Sequence, residues 1–258
     1  MNFHVITLFP ETIDAYTNVS ILGRAQKEKK FTVKTYQLRD FSGNPPKGRA
    51  GKWFYAKVDE RPYGGGPGMV LRAEPFIKAV ESIQKSIQKK VSKPAKSTAA
   101  SKKIKVLITA AGGKELTNSY AKALTKYDEV IILCGRYEGI DARVKKVIKS
   151  MGAQVEEVSV GPYILTGGEV PALTIIDATA RQIPGVLGKF ESLEEGRVAS
   201  HEIYTRPEVL MHKDSKGKNK NYTVPKVLLS GHHANMEEWR KKTRPNVLSV
   251  RAGRSKPE

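Results

Sequence analysis

The sequence predicts an α/β protein whose parallel strands are covered by helices on both faces, followed by a small basic second domain. Short β-prone apolar runs alternate with stretches of helical spacing from Phe3 to Arg181, the pattern of strands separated by crossover helices. After Gly185 that rhythm stops and the chain becomes polar and basic.

The elements follow in order. Phe3–Leu8 is apolar and β-prone, Pro10 opens a helix, and Ile13, Tyr16 and Ile21 recur at roughly helical spacing. Thr32–Leu38 predicts a second strand. From Asp40 to Gly68 glycine and proline are dense, ending in Asp59-Glu-Arg-Pro-Tyr-Gly-Gly-Gly-Pro-Gly68, so a long loop is expected there. A helix over Glu74–Gln88 runs into Lys85–Lys105, which holds eight lysines and no acid and reads as a mobile excursion. Strands are expected at Ile104–Ala110, Val130–Cys134 and Gln154–Val160, with helices at Ser119–Thr125, Ala142–Met151 and Pro171–Arg181. These boundaries predict a first domain over 1–188, a linker over 189–203 and a basic C-terminal domain over 204–258 with helical potential at Asn235–Lys242.

Of 258 residues, 45 are Lys or Arg and 26 are Asp or Glu, a net charge of +19. Such an excess says little about fold but suits a polyanionic partner, whose phosphates release condensed counterions when neutralised. Cys134 is the sole cysteine, which excludes a disulfide framework and a thiolate metal site. The five histidines lack metal-ligand spacing, and no metal site is expected. The N-terminus has no basic segment and reaches Pro10 too early for a signal peptide, and no apolar run approaches a membrane span. The expectation is a cytoplasmic protein without a membrane partner.

Three predicted strand ends lead into glycine-bearing loops: Thr109-Ala-Ala-Gly-Gly113, Gly135-Arg-Tyr-Glu-Gly-Ile-Asp141 and Ser159-Val-Gly-Pro-Tyr-Ile-Leu-Thr-Gly-Gly-Glu169. Parallel α/β sheets bind ligands beyond the carboxyl ends of their strands, and glycine lets the backbone come close. Ordinary turn chemistry explains any one such loop; three together point to a nucleoside-type ligand. Competing motifs fail. Gly43-Asn-Pro-Pro-Lys-Gly48 has P-loop spacing, but Arg49 and Ala50 stand where Lys and Ser/Thr are needed, and no G-x-G-x-x-G opens a βαβ unit.

Six segments carry a resemblance. Asp59–Met69, Cys134–Asp141, Leu165-Thr-Gly-Gly-Glu-Val-Pro171, Arg181-Gln-Ile-Pro-Gly-Val-Leu187, Tyr204-Thr-Arg-Pro207 and Leu228-Leu-Ser-Gly231 resemble, in order, the signature series of the bacterial tRNA (guanine-N1)-methyltransferases of the SPOUT superfamily. The resemblance implies a deep trefoil knot in the first domain, in place of a plain open sheet, and a small, mainly helical C-terminal domain. It implies S-adenosylmethionine as cofactor, tRNA as substrate and a homodimer whose active sites cross the interface. By match, the cofactor pocket would use Ile108, Thr109, Ala110, Gly113, Gly135, Tyr137, Glu138, Ser159, Val160, Gly161, Pro162, Tyr163, Ile164, Leu165, Gly167, Gly168 and Pro171.

The same resemblance implies methylation at N1 of the guanine 3′ of the anticodon, position 37. That nitrogen carries a proton until a base removes it, and charge then develops towards O6. Arg181 matches the family arginine expected to meet O6. The family base is an aspartate followed by Ser and an aromatic residue; Glu191-Ser192-Leu193 stands in its place, making Glu191 the candidate, with Glu194 and Glu195 as substitutes. Asp59 and Arg61 match residues that engage the target guanosine, while Arg240, Lys241, Lys242 and Arg244 suit tRNA phosphates. Thr109–Gly113 departs from the family's Ser-Pro-Gln-Gly type of loop. The family's magnesium dependence implies an ion for which no carboxylate cluster here defines a site. Two other readings fit the same residues: a binding-only homologue, and an enzyme with another RNA target.

Overall fold

The apolar run at the N-terminus forms the innermost kind of strand, with Phe3, Val5 and Ile6 wholly buried. The computed structural model describes residues 1–43, 57–91, 102–187 and 202–243, and the chain divides into two units, Met1–Phe190 and Glu191–Glu258. The first unit runs β1 (Asn2–Thr7), α1 (Pro10–Thr17), α2 (Ser20–Lys27), β2 (Thr32–Gln37), a 3-10 turn (Leu38–Phe41), β3 (Asp59–Glu60) and β4 (Val70–Leu71). It continues through α3 (Ala73–Val91), β5 (Ile104–Glu115), α4 (Asn118–Leu124), β6 (Glu129–Leu133), α5 (Arg143–Ser150), β7 (Gln154–Ser159) and α6 (Glu169–Ala180).

Five strands form one sheet in the order β2-β1-β6-β5-β7, and every pair is parallel. Alternate side chains feed two cores. Phe3, Val5, Leu107, Val130 and Ile132 join Ile13, Leu22, Leu124, Ile175 and Ile176 of the helices on one face. Ile6, Val106, Ile108, Ile131 and Leu133 join Phe76, Val80, Ile83, Val144 and Ile148 on the other. Burial on both faces explains why these strands read as continuous apolar runs.

Local expectations changed in four places. The helix opened by Pro10 breaks at Asn18–Val19, and α2 is a separate helix that buries Leu22 while Ile21 stays 42% exposed. The turn resets the buried face, which a single helical period cannot anticipate. Within the expected Asp40–Gly68 loop, β3 pairs with β4, Asp59 opposite Leu71, and closes residues 61–69; residues 44–56 lie outside the described part. Helix α3 extends to Val91, so the lysine-rich run is not mobile from Lys85: Ile87 is only 5% exposed, because its apolar face completes the core. Residues 92–101 lie outside the described part. Finally, β5 runs past Ala110 to Glu115, with Thr109 and Lys114 both paired to Val158 and the residues between them bulged out.

At the amino ends of the strands, buried charge is fully partnered. His4 reaches Glu129 Oε2 through Nε2 and Tyr36 Oη through Nδ1, 2.9 Å each. A neutral imidazole satisfies both by donating from Nε2 and accepting at Nδ1. Lys102 Nζ (2.6 Å) and Asn2 Nδ2 (3.0 Å) both donate to Glu129 Oε1. Burial pushes the Glu129 carboxyl upward, but the hydrogen bonds from His4, Lys102 and Asn2 outweigh it and hold it down to about 2. Burial, then the Glu129 charge, raises the Tyr36 hydroxyl.

The described part of the second unit adds a strand pair to the expected helices. A hairpin, β8 (Val209–Lys213) with β9 (Asn219–Thr223), precedes the short α7 (Lys226–Leu229) and α8 (His233–Lys242). Its strands are exposed throughout and lack the apolar alternation that marks a half-buried strand. The turn carries the signal instead: Asp214 Oδ1 accepts from the N–H groups of Lys216 and Lys218 at 2.9 Å, and Gly217 has φ +75°. Within this unit Tyr204 and Trp239 have ring centroids 6.2 Å apart.

Candidate ligand-binding cleft

Strands β5, β6 and β7 are neighbours, so the chain segments leaving their carboxyl ends meet. They enclose a cleft of about 480 Å3, within the size range of small-molecule sites. Its apolar wall includes Ile108, Val160 and Leu165, and backbone of Gly135, Gly161 and Gly167 completes it.

Two loops are stitched together to make this wall. Gly168 donates its N–H to Gly135 O at 2.7 Å, and Arg136 and Gly167 form an isolated antiparallel bridge. A Cβ on Gly168 would sit 2.6 Å from Gly135 N and 2.7 Å from Cys134 Cα, and closer still to Thr109 Oγ1. Only glycine permits that approach. Thr109 Oγ1 accepts from Gly135 N–H at 3.3 Å and donates to Leu133 O at 3.2 Å, fixing β5 just before its bulge to the end of β6. Gly135 is different: a Cβ there would meet nothing nearer than 3.5 Å. Packing does not require that glycine, and its bare backbone keeps the cleft floor open.

Glu169, 2% exposed, anchors the arrangement from the start of α6. Thr7 Oγ1 donates to Glu169 Oε1 at 2.6 Å, and Arg136 Nε and Nη2 donate to Oε2 at 3.0 Å each. The Phe9 ring lies 4.4 Å from the Arg136 guanidinium, a cation–π geometry. Cys134 beneath is a buried thiol whose pKa burial raises, an inert core group. Tyr137 takes a left-handed backbone, φ +58°, in the turn that lines the cleft. The β3–β4 hairpin is tied to this same turn: Glu138 N–H reaches Met69 O (3.0 Å), and Leu71 N–H reaches Gly139 O (2.9 Å).

Of the residues named from sequence for the cofactor, all but Gly113 and Pro162 line this cleft. Gly113 instead packs against β7, where a Cβ would lie 2.6 Å from Glu157 C and Val158 N. Pro162 belongs to the same loop but is exposed and outside the lining. The cleft also includes Arg136, Asp141, Lys145 and Glu157, which were not singled out. Arg136 and Asp141 sit inside a motif already noted; Lys145 and Glu157, an ion pair at 3.2 Å, carry no sequence signal.

The remaining candidates lie elsewhere. Arg181 caps the C-terminal end of α6 and does not line the cleft. Ten residues separate it from Pro171 at the cleft wall, roughly 15 Å along the helix. Asp59 and Arg61 are on the hairpin tied to the Tyr137 turn, with Arg61 N–H donating to Glu60 Oε1 at 3.3 Å. Arg240, Lys241 and Lys242 form the last turn of α8, where Lys242 pairs with Glu238 at 2.8 Å. Glu191, Glu194, Glu195 and Arg244 lie outside the described residues, among which no group of acids, histidines or cysteines could hold a metal ion. No described helix is long and apolar enough to cross a membrane.

Fold and cleft thus define a parallel α/β ligand-binding domain joined to a separate basic unit. The profile of the tRNA (guanine-1)-methyltransferase TrmD family matches residues 1–252. A tRNA (guanine-N1)-methyltransferase of Ruminiclostridium cellulolyticum is 41% identical over 244 residues, 93% of this chain and 89% of the relative. Proteins of the same name are 37% identical in Desulforamulus reducens, over 94% of this chain and 83% of the relative, and 40% identical in Buchnera aphidicola, over 93% and 88%. The chain belongs to the tRNA (guanine-1)-methyltransferase family.

Proposed function

We propose that this protein methylates N1 of guanine 37 in tRNA, with S-adenosylmethionine, the donor used in this family, bound in the cleft between β5, β6 and β7. Its strongest support is that the loops matching the family's cofactor motifs converge on that one cleft. The residues present fit such a ligand: Ile108, Val160 and Leu165 suit a purine face, open backbone at Gly135 admits close approach, and Glu138, Asp141 and Glu157 suit hydroxyl or ammonium groups. When bound, the cofactor supplies an already activated methyl group on a sulfonium. The hydrogen bond and bridge that tie Gly167 and Gly168 to Gly135 and Arg136 fit the trefoil knot that the family implies.

The chain's own task is to move a proton and hold charge. Glu191 takes the N1 proton of guanine, and Arg181 donates to O6 as negative charge gathers there. Asp59 and Arg61, on the hairpin tied to the cleft turn, hold the target nucleoside once it has left the stack. Arg240, Lys241, Lys242 and Arg244 meet tRNA phosphates. Arg181 stands roughly 15 Å from the cleft wall of its own chain, so it serves the cleft of a second copy, which makes the active protein a homodimer. Exposed apolar side chains on α1, α2, α6 and the cleft loop, among them Tyr16, Val19, Ile21, Ile164 and Val170, suit that contact. Any magnesium ion is held jointly with substrate. The protein acts in the cytoplasm.

Primer extension on tRNA treated with enzyme and donor tests this reading. A new stop at guanine 37 is expected; its absence would sink the assignment. Glu191→Ala should lower turnover by about 10²–10⁴-fold, the usual contribution of a general base, while calorimetric cofactor affinity holds. Unchanged turnover would remove Glu191 from the mechanism.

A further inference from the structure

A second cleft, about 740 Å3, opens at the other end of the central sheet, between α3, the start of β5, the end of α4 and the α5–β7 turn. Lys102, Lys103 and Lys126 are its charged lining residues, and no carboxylate lines it. Lys102 is committed to Glu129. Lys103 and Lys126 are exposed and have no ion pair among the described residues. Tyr127 donates its hydroxyl to Gln154 Oε1 at 2.7 Å, which leaves the Gln154 amide N–H groups as donors beside an aromatic ring.

Lysines near helix C-termini often do no more than complement the helix dipole. Here that place is already taken by Lys122 in the last turn of α4 and Lys149 in that of α5. Lys126 follows the end of α4 and Lys103 precedes β5, so neither belongs to a helix. Two uncommitted ammonium groups, amide donors and a ring match a phosphodiester chain, which needs cations and donors and no base-specific contact.

We propose that this cleft holds a stretch of tRNA backbone outside the anticodon stem–loop, giving the enzyme a second, sequence-independent grip. The inference rests on the chain acting on tRNA. Ile104 in this cleft and Thr109 in the cofactor cleft are both on β5, five residues apart, so roughly 17 Å of strand separates the two openings. The openings lie at opposite ends of the sheet, so RNA seated at the cofactor cleft reaches this one only around the domain, a longer path than that strand.

The test compares wild type with Lys103→Gln/Lys126→Gln, binding full-length tRNA or its isolated anticodon stem–loop over a potassium chloride series. The double variant should bind full-length tRNA roughly tenfold more weakly at low salt, with a salt slope smaller by about 2. Its affinity for the stem–loop should hold. Full-length tRNA bound with wild-type affinity and slope would overturn the proposal. So would equal weakening towards both RNAs, which marks a long-range field, or loss of pyrophosphate binding with tRNA binding intact, which marks a small-anion site. Wild-type protein that bound neither RNA would sink the function as well as the second grip.

Discussion

Beyond the carboxyl ends of β5, β6 and β7 the chain brings bare backbone together, and Gly168 presses so close to Thr109, Cys134 and Gly135 that no side chain fits. At the amino ends of β1 and β6 it buries a carboxylate, Glu129, and gives it His4, Lys102 and Asn2 as donors. The first arrangement spends close packing on keeping a space open. The second closes on itself, and its groups turn inward rather than to a ligand. One sheet therefore separates cofactor binding from stability along the strand direction, and substitutions at the two ends should have different signatures.

The largest expected effect is at the closed end. Glu129→Ala leaves Lys102 and His4 without their shared acceptor, and removing one partner of a buried pair costs about 3–5 kcal/mol. The thermal midpoint should drop by roughly 10 °C, while cofactor affinity measured well below it stays near wild type. A parallel loss of cofactor affinity would break the separation of the two ends. At the open end, Gly168→Ala should behave in reverse. Overpacking of about 1–3 kcal/mol falls on the cleft loops, so calorimetry should read at least roughly tenfold weaker cofactor binding, with a smaller change in melting. Wild-type cofactor affinity in that variant would remove the steric account of the cleft.

The smallest effect is a pH signature. Glu129 is held down to about 2 from an ordinary 4.5. A depressed carboxylate contributes stability that is present above 4.5 and lost as pH falls towards 2. The wild-type melting temperature should decline across that window, and Glu129→Gln should flatten this part of the decline. An identical slope in both proteins would assign acid sensitivity to other carboxylates, such as Glu156 or Asp141, which ion pairs and hydrogen bonds also hold down.

Legibility in the sequence also differed between the ends. The inner strands β1, β5 and β6 were readable because double burial leaves apolar runs such as Val130–Cys134. The glycine loops were readable because close backbone approach selects a residue type. The Glu129 network was not: His4, Glu129 and Lys102 are scattered through the chain and acquire meaning only when β1 and β6 pair. Glu169 is similar, since a charge inside a glycine-rich motif gives no hint that Thr7 and Arg136 close over it. The exposed β8–β9 hairpin failed for the opposite reason, having no buried face to impose a period.

From its sequence alone this chain is an α/β protein of parallel strands with a basic tail and three glycine loops, because burial and backbone strain act residue by residue. The ordered motifs placed it in its family. Only the tertiary structure decided that those loops share one cleft, that Gly113 and Pro162 stand outside its lining, that Arg181 lies at the far end of α6, and that Lys103 and Lys126 flank a second opening. These are relations between segments far apart in the chain, set by the strand order β2-β1-β6-β5-β7. Local preferences do not encode that order; it follows from which apolar faces bury each other best.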